Sequence, residues 1–507
     1  MKQSRPASGG EFRCSLELKR EDDAMPRVNR RTFTQLSGLS LASAVAAGRG
    51  RPVAAQDKDI TLQWWDHYAP LEAILQENFD AYTAEHPNVT VERTLYNLPE
   101  LGQSLQLAFN SDQAPDVHAI ASLNVPTPAL VQEGWFTPIG DHVSDEFMAR
   151  FPEGAILEGL HSFDGQLYSF PMFSFRSSSS ALWFNKQLVE EAEIDPEVGP
   201  QTWDEFRQAC ATITENGGGR AYGWIQAIML ADRLGTQVSE LSQLAGGPGT
   251  LDWTTGEYSY HSQEILDTIE FLYSIHQDGN MFPASTSLDA REARARFSTG
   301  VAGFNFDGPW SIGVINNDYA EFADLVGVAQ TPVPDLASAG YITRGPVGGD
   351  FWVNSQSAHP DVAAGILEKF NTPEFYVRLA EQMDQPPLDL SAVEQADVHD
   401  AYRKALGLYE ENIRLGPVPE IRNPDVIDVY ANMTDIRPNF GEIVQGVFSG
   451  DIEDYATELK AFSDKMTAER DKAIQIVNDA GGSVSVDDWV FDNWEVGTDY
   501  TSEFYSS

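Results

Sequence analysis

Four short stretches put aromatic rings at turn-rich junctions, three of them beside an aspartate: Trp64-Trp65-Asp66, Tyr222-Gly223-Trp224, Asp307-Gly308-Pro309-Trp310 and Asp350-Phe351-Trp352. A flat ring can cover the C–H face of a sugar while a neighbouring acid, amide or guanidinium hydrogen-bonds the hydroxyls, and such a site rejects analogues that lack them. The competing reading of any single tryptophan is ordinary core. Trp310 is favoured as a ligand contact because it follows a Gly-Pro that stops a strand. Trp64 and Trp65 alternate along a strand, so one faces a cleft, and Trp65, nearer the strand's end, is the expected one. Other chemistries find no foothold. The nine histidines are scattered without a zinc spacing such as H-E-x-x-H. There is no G-x-S-x-G elbow, no phosphate-cradling G-x-x-x-x-G-K-[ST] and no G-x-G-x-x-G at a strand end. Paired carboxylates could signal glycoside hydrolysis, but among 77 acidic residues such pairs arise by chance. Nothing in the sequence supports an enzyme or calls for a cofactor.

The elements that must position these residues alternate. Asp59–Trp65 reads as a strand, Glu72–Glu85 as an amphipathic helix ending before Pro87, and Val89–Leu95 as a second strand. Leu98–Asn110 reads as a helix, and the run PDVHAI after it as a third strand. This βαβαβ rhythm predicts an α/β fold with open, mostly parallel sheets, whose ligands bind beyond the carboxyl ends of the strands. Further helices are expected over Thr202–Glu215, Gln263–His276, Asp289–Ser298 and Ile452–Val477. Such a length suggests two or three domains.

Composition bounds the setting. The formal net charge is −44, yet 42% hydrophobic and 11% aromatic residues are ample for packed cores. Against this acidity, RVNRRTFTQLSGLSLASAVAAG (Arg27–Gly48) has basic residues followed by an apolar run too short to span a membrane. That is the layout of an export signal, and Arg30-Arg31 with Thr32, Phe33 and Leu36 resembles the twin-arginine type. Cleavage is expected after Ala55, with Ala47 as the competitor and Met25 as an alternative start. The mature chain then holds 23 basic and 72 acidic residues, net −49. Such a chain will not bind nucleic acid or anionic lipid through a basic surface. Folded and strongly acidic, with lysine only nine of the 33 basic residues of the full sequence, it suits a solvent of high ionic strength, and so a halophilic source. Cys14 precedes the apolar run and Cys210 is alone in the mature chain, which excludes an intramolecular disulfide, a cysteine metal site and a lipobox anchor. Asn88 and Asn432 sit in glycosylation sequons.

Four ordered stretches resemble the extracellular solute-binding proteins of ABC importers, in the group that includes maltose-type sugar binders. They are YSFPMFSFRSSSSALWFNKQL (Tyr168–Leu188), LSQLAGGPG (Leu241–Gly249), AGFNFDGPW (Ala302–Trp310) and GPVGGDFWVN (Gly345–Asn354). They run in family order at family-like spacing, so the resemblance extends over nearly the whole mature chain. The resemblance implies two α/β lobes around a hinged cleft, joined by a hinge that the chain crosses near Phe170–Phe173, Pro346–Gly349 and Ser391–Asp400. The expected partition is 56–170 with 349–395 as one lobe and 171–348 with 396–507 as the other, after an N-terminal extension over 1–55.

Mapped residue by residue, the resemblance implies ligand contacts from Trp65, Asp66 and His67, from Ser122 and Asn124, from Arg176, and from Asp307 and Trp310, with Trp224, Asp350 and Trp352 as weaker carry-overs. Asn185 and Lys186 are expected to be structural. Trp183-Phe184 stands where the family usually has tyrosine. The tail beyond the last family helix is read as a strap held by Trp489, Phe491 and Trp494. The implied function is that of an exported, monomeric binding protein delivering a sugar or oligosaccharide to an ABC permease. A polyol, glycerol-phosphodiester or polyamine ligand is the alternative within binding proteins, and a secreted carbohydrate-active enzyme the alternative outside them. A phosphorylated ligand calls for several cleft cations, and only Arg176 is evident, which argues against it.

Overall fold

In chain order the strands of the two main sheets are β1 (Ile60–Asp66), β2 (Val89–Leu95), β3 (Val117–His118), β4 (Ala181–Asn185), β5 (Tyr222–Ile225), β6 (Ala302–Asp307), β7 (Val326–Ala329) and β8 (Trp352–Val353). The helices that matter here are α1 (Glu72–Glu85), α2 (Leu98–Asn110), α3 (Trp203–Gly217), α4 (Ala231–Leu244), α5 (Gln263–Gln277), α6 (Ala290–Phe297), α7 (Trp310–Asp318) and α8 (Tyr455–Asp479). The computed structural model describes residues 59–505, except 121, 122, 124, 126 and 153. The export segment, Ser122 and Asn124 therefore lie outside the described residues.

Local chemistry sets the boundaries. α1 and α2 occupy the expected residues. α3 begins at a capping box, Thr202 with Glu205, and ends at Gly218, whose φ of 54° is left-handed. α6 begins at a second box, Asp289 with Glu292. Asn185 accepts the amide N–H groups of Gln187 and Leu188, capping the next helix, which gives Asn185 a structural role there.

The first sheet runs β8-β3-β1-β2 and the second β7-β4-β6-β5. β1 pairs parallel with β2 and β3, and β5 pairs parallel with β6. One strand in each sheet is reversed: β8 is antiparallel to β3, and β4 to both β6 and β7. Each reversed strand is the first one laid down after the chain changes core. A strand reached through a crossover helix starts from the same edge as its predecessor, whereas one arriving from the other lobe starts at the facing edge and runs away from it.

The first core contains Leu62, Trp64, Phe79, Phe170, Phe351 and Phe370, with the Trp64 ring 4.6 Å from Phe351 and 5.0 Å from Phe79. The second sheet separates two clusters by period-two alternation. Leu182, Phe184, Phe304 and Phe306 face one, and Ala181 and Trp183 face the other. Beyond α8 the tail packs Trp489 and Phe491 as fully buried residues, with the Arg422 guanidinium 3.6 Å from the Phe491 ring centroid. Among the described residues no helix is long and apolar enough to cross a membrane.

Candidate functional site

A cleft of about 500 Å³ lies where the two cores meet. Chain passing between the cores lines it at Phe173–Phe175, Ser177–Ser179 and Gly345–Val347. Tyr68 and Asp350 face it from the first lobe, and Arg233, Thr236, Trp310 and Arg344 from the second. A neighbouring hollow of about 620 Å³ on the second lobe shares Thr236 and Arg344 and adds Tyr260 and Tyr430.

Trp310 is held by its own turn. β6 ends at Asp307, whose Oδ1 accepts the Trp310 indole N–H and the Gly308 N–H, each at 2.9 Å. The indole folds back so closely that a Cβ at Gly308 would fall 2.2 Å from the ring, so this position requires glycine. The other carboxylate oxygen accepts Arg294 Nε at 2.6 Å, with Asp307 and Arg294 both buried. Arg233 approaches Asp307 at 3.4 Å and lies 5.1 Å from the Trp310 ring centroid.

The run Ser177–Ser180 has an equally specific reason. Glu240, buried on α4, accepts Ser178 Oγ at 3.0 Å, Ser179 N and Oγ at 3.1 Å and Ser180 Oγ at 2.6 Å, all on one oxygen. Its other oxygen takes Arg344 Nη1 at 3.2 Å, and that nitrogen also donates to the Ser177 carbonyl at 2.6 Å. On the first-lobe wall, Asp350 accepts the Tyr68 hydroxyl at 2.7 Å and the Met172 amide at 2.6 Å. Burial pushes the Asp350 carboxyl up to about 6, against the pull of those two hydrogen bonds.

Of the residues expected at the ligand, Trp310 and Asp350 line the cleft, and Asp307 stands directly behind Trp310. Four others are corrected by their surroundings. Asp66 is buried and bound at 2.7 Å through both oxygens to Arg93, with the Tyr68 amide as a third donor at 2.8 Å, so it fixes the loop that presents Tyr68. Arg176 is not in the cleft lining; it pairs at 2.6 Å with Asp499 of the tail and borders an adjoining hollow of about 400 Å³. Trp224 packs in the second core against Phe306 and Phe448, its indole N–H on Gln226 at 3.2 Å. Trp352 packs in the first core 4.7 Å from Phe136, its N–H on the Gly349 carbonyl at 3.0 Å. Trp65 is half-buried with its ring 5.0 Å from Tyr96, outside the cleft lining. His67 lies with its ring 4.2 Å from that of Tyr68, inclined by 33°, and burial pulls its pKa below the ordinary histidine value despite Asp66. Sequence reasoning missed Arg233, Thr236, Arg344 and Gln385, and it put Tyr68 at the binding edge without assigning it a ligand contact. Tyr68 adjoins a flagged triplet and Arg344 adjoins a flagged stretch, but nothing local marks Arg233.

Two sheet-centred lobes around a cleft define a hinged binding protein. The chain belongs to the bacterial extracellular solute-binding protein family, which it matches over residues 68–375, and that family supplies the binding subunits of ABC importers. A similar sequence is the sn-glycerol-3-phosphate-binding periplasmic protein UgpB of Brucella abortus, 26% identical over 396 residues that cover 74% of this chain and 85% of that protein. Similar folds include the cyclic alpha-maltosyl-1,6-maltose binding protein of Arthrobacter globiformis, with a TM-score of 0.60, 18% identity and coverage of 82% and 99% of the two chains. Another is an ABC transporter solute-binding protein of Thermotoga lettingae bound with alpha-D-tagatose, with a TM-score of 0.58, 18% identity and coverage of 82% and 100%.

Proposed function

We propose that the protein takes a sugar or oligosaccharide in the interlobe cleft and hands it to a membrane permease, without chemistry of its own. The observation that carries this reading is Trp310, an indole fixed by Asp307 and Gly308 at the mouth of a cleft whose other wall offers the Tyr68–Asp350 pair. A locked ring loses little entropy when a sugar face stacks on it, and the opposite wall supplies hydroxyl partners. The adjoining hollow at Tyr260 and Tyr430 gives room for further rings, which favours an oligosaccharide. Solved relatives in fold named for tagatose and a cyclic maltosyl-maltose support the same class.

On this reading the ligand bridges both lobes and shifts a two-state hinge towards closure. Hinge crossings between Phe173 and Ala181, between Ile342 and Phe351, and through Ala380–Ala396 are supported by the exchange of buried residues between the cores over those spans. The exported chain acts as a monomer with no nucleic-acid partner, leaves the cell by the twin-arginine route and works in strong salt. Ser122 and Asn124 are proposed as further ligand contacts. Titration calorimetry of a sugar panel in molar KCl tests the reading. Binding that weakens by about 2 kcal/mol in Trp310→Ala is expected, and a glycoside hydrolysed at a rate abolished by one carboxylate substitution would establish an enzyme instead.

A further inference from the structure

Arg176, the one cleft cation evident in the sequence, is spent on Asp499. Two other guanidiniums take its place, Arg233 and Arg344. Their carboxylate partners do not serve them equally. Asp307 is saturated by Arg294 at 2.6 Å and by the Trp310 and Gly308 N–H groups at 2.9 Å, so Arg233 reaches it only at 3.4 Å. Two guanidiniums thus share the Asp307 carboxylate; Asp384 acts on Arg294 but not on Arg233, so the poorly matched positive charge is the one at the indole. Among the described residues Arg233 has that one ion pair and the face of Trp310. Burial pulls its guanidinium below the ordinary arginine value, so a counter-ion brought by a ligand would relieve it.

Arg344 is balanced by Glu240, but that contact and its bond to Ser177 both use Nη1, and its side chain is 41% exposed. Arg233, Thr236 and Glu240 lie three, four and seven residues apart on one face of α4. The pair Glu240–Arg344 therefore sits about 10 Å along the helix from Arg233. The acid on the opposite wall, Asp350, has both oxygens engaged by Tyr68 and Met172.

Building on the interlobe binding reading, we infer that the ligand carries an anionic group, a carboxylate or a phosphate ester, which docks on Arg233 beside Trp310. Its hydroxyl-bearing part then extends along α4 towards Thr236 and Arg344. A guanidinium suits this task because its planar fork meets two oxygens of a carboxylate or phosphate at once. In a chain of net charge −44 the long-range field repels anions, so recognition falls to contact at this one arginine, which molar salt screens far less than it screens the distant charges.

Calorimetric titration of the full chain in molar KCl with matched pairs tests this: glycerol 3-phosphate against glycerol, and digalacturonate against galactobiose. At least one anionic member should bind about tenfold or more tightly than its neutral partner, a gap that a charge-assisted hydrogen bond supports. Arg233→Gln should erase that preference, and Arg233→Lys, which keeps the charge, should retain part of it. Whether the phosphate or the carboxylate pair shows the gap identifies the group. Neutral members binding as tightly as anionic ones, or a preference that survives Arg233→Gln, overturns the inference. Binding of neutral sugars alone overturns the anion and leaves the interlobe sugar site standing, whereas binding by neither kind overturns both.

Discussion

Gly308 and Asp307 matter to Trp310 more than their own surface suggests, because they decide where its ring lies. Gly308→Ala would force the indole off the turn, since the added carbon has 2.2 Å of room. It should weaken binding of a stacking ligand about as much as Trp310→Ala, by about 2 kcal/mol, read by the same calorimetry. Two buried histidines set an acid limit. His118 donates from Nδ1 to the Ala119 carbonyl and accepts from Asn354 at Nε2, and His161 accepts the Leu157 amide at Nδ1 and donates to the Val347 carbonyl. Burial lowers both to about 4. Their folded values lie below the unfolded value of 6.5, so their contribution is present above pH 6.5 and lost as pH falls through 4. Asp350, raised to about 6, acts in the opposite sense with Asp384 and Glu420, which burial also raises, while His67, His276 and His399, lowered by burial, act with the two histidines. Urea-unfolding midpoints should therefore drop between pH 6.5 and 4, and less so in His118→Gln. The D-G-P-W turn was legible because its logic is local. Trp224 and Trp352 were not, because an aromatic at a strand end reads alike whether its ring faces cleft or core. Asp66 misled because its partner, Arg93, stands one strand away.

At the scale of elements, the serine run and the tail show what spacing hides. Four consecutive serines look like a flexible turn, yet three converge on Glu240, sixty residues on. Glu240→Gln removes the charge that balances Arg344 and most of the acceptor capacity of a buried site, and should destabilise the protein by about 3 kcal/mol in denaturant titration. The strap expected from Trp489 and Phe491 is present, and its use is clearer than the sequence allowed: Asp499 ties Arg176, accepts the Leu415 amide at 2.8 Å, and so fastens the tail to chain leaving the first core. Arg176→Ala should lower stability by about 1 kcal/mol, the pair being partly exposed, while ligand affinity stays within about twofold. A large loss of affinity with unchanged stability would return Arg176 to the cleft. Helix positions were readable from caps and periodicity, as in α1, α2 and α6. The reversed strands β4 and β8 were not, because strand direction depends on which lobe the chain arrives from.

For the whole molecule, the ordered stretches from Tyr168 to Asn354 made the two-lobe class legible, and the partner residues across the cleft emerged only when distant segments met. The net charge of −44 carries its own prediction. In salt-free buffer repulsion among surface carboxylates acts over many ångströms, while at 1 M salt the screening length is about 3 Å. Far-ultraviolet circular dichroism should show loss of helix on desalting and its return with molar KCl, and full ellipticity without salt would contradict the halophilic reading. The central claim, that a ligand bridges two lobes and closes them, is tested most directly by small-angle X-ray scattering on the protein with and without the compound that calorimetry shows to bind. The radius of gyration should fall on saturation and stay at its free value in Trp310→Ala at the same ligand concentration. A scattering curve unchanged at proven saturation of the wild-type protein would contradict the account.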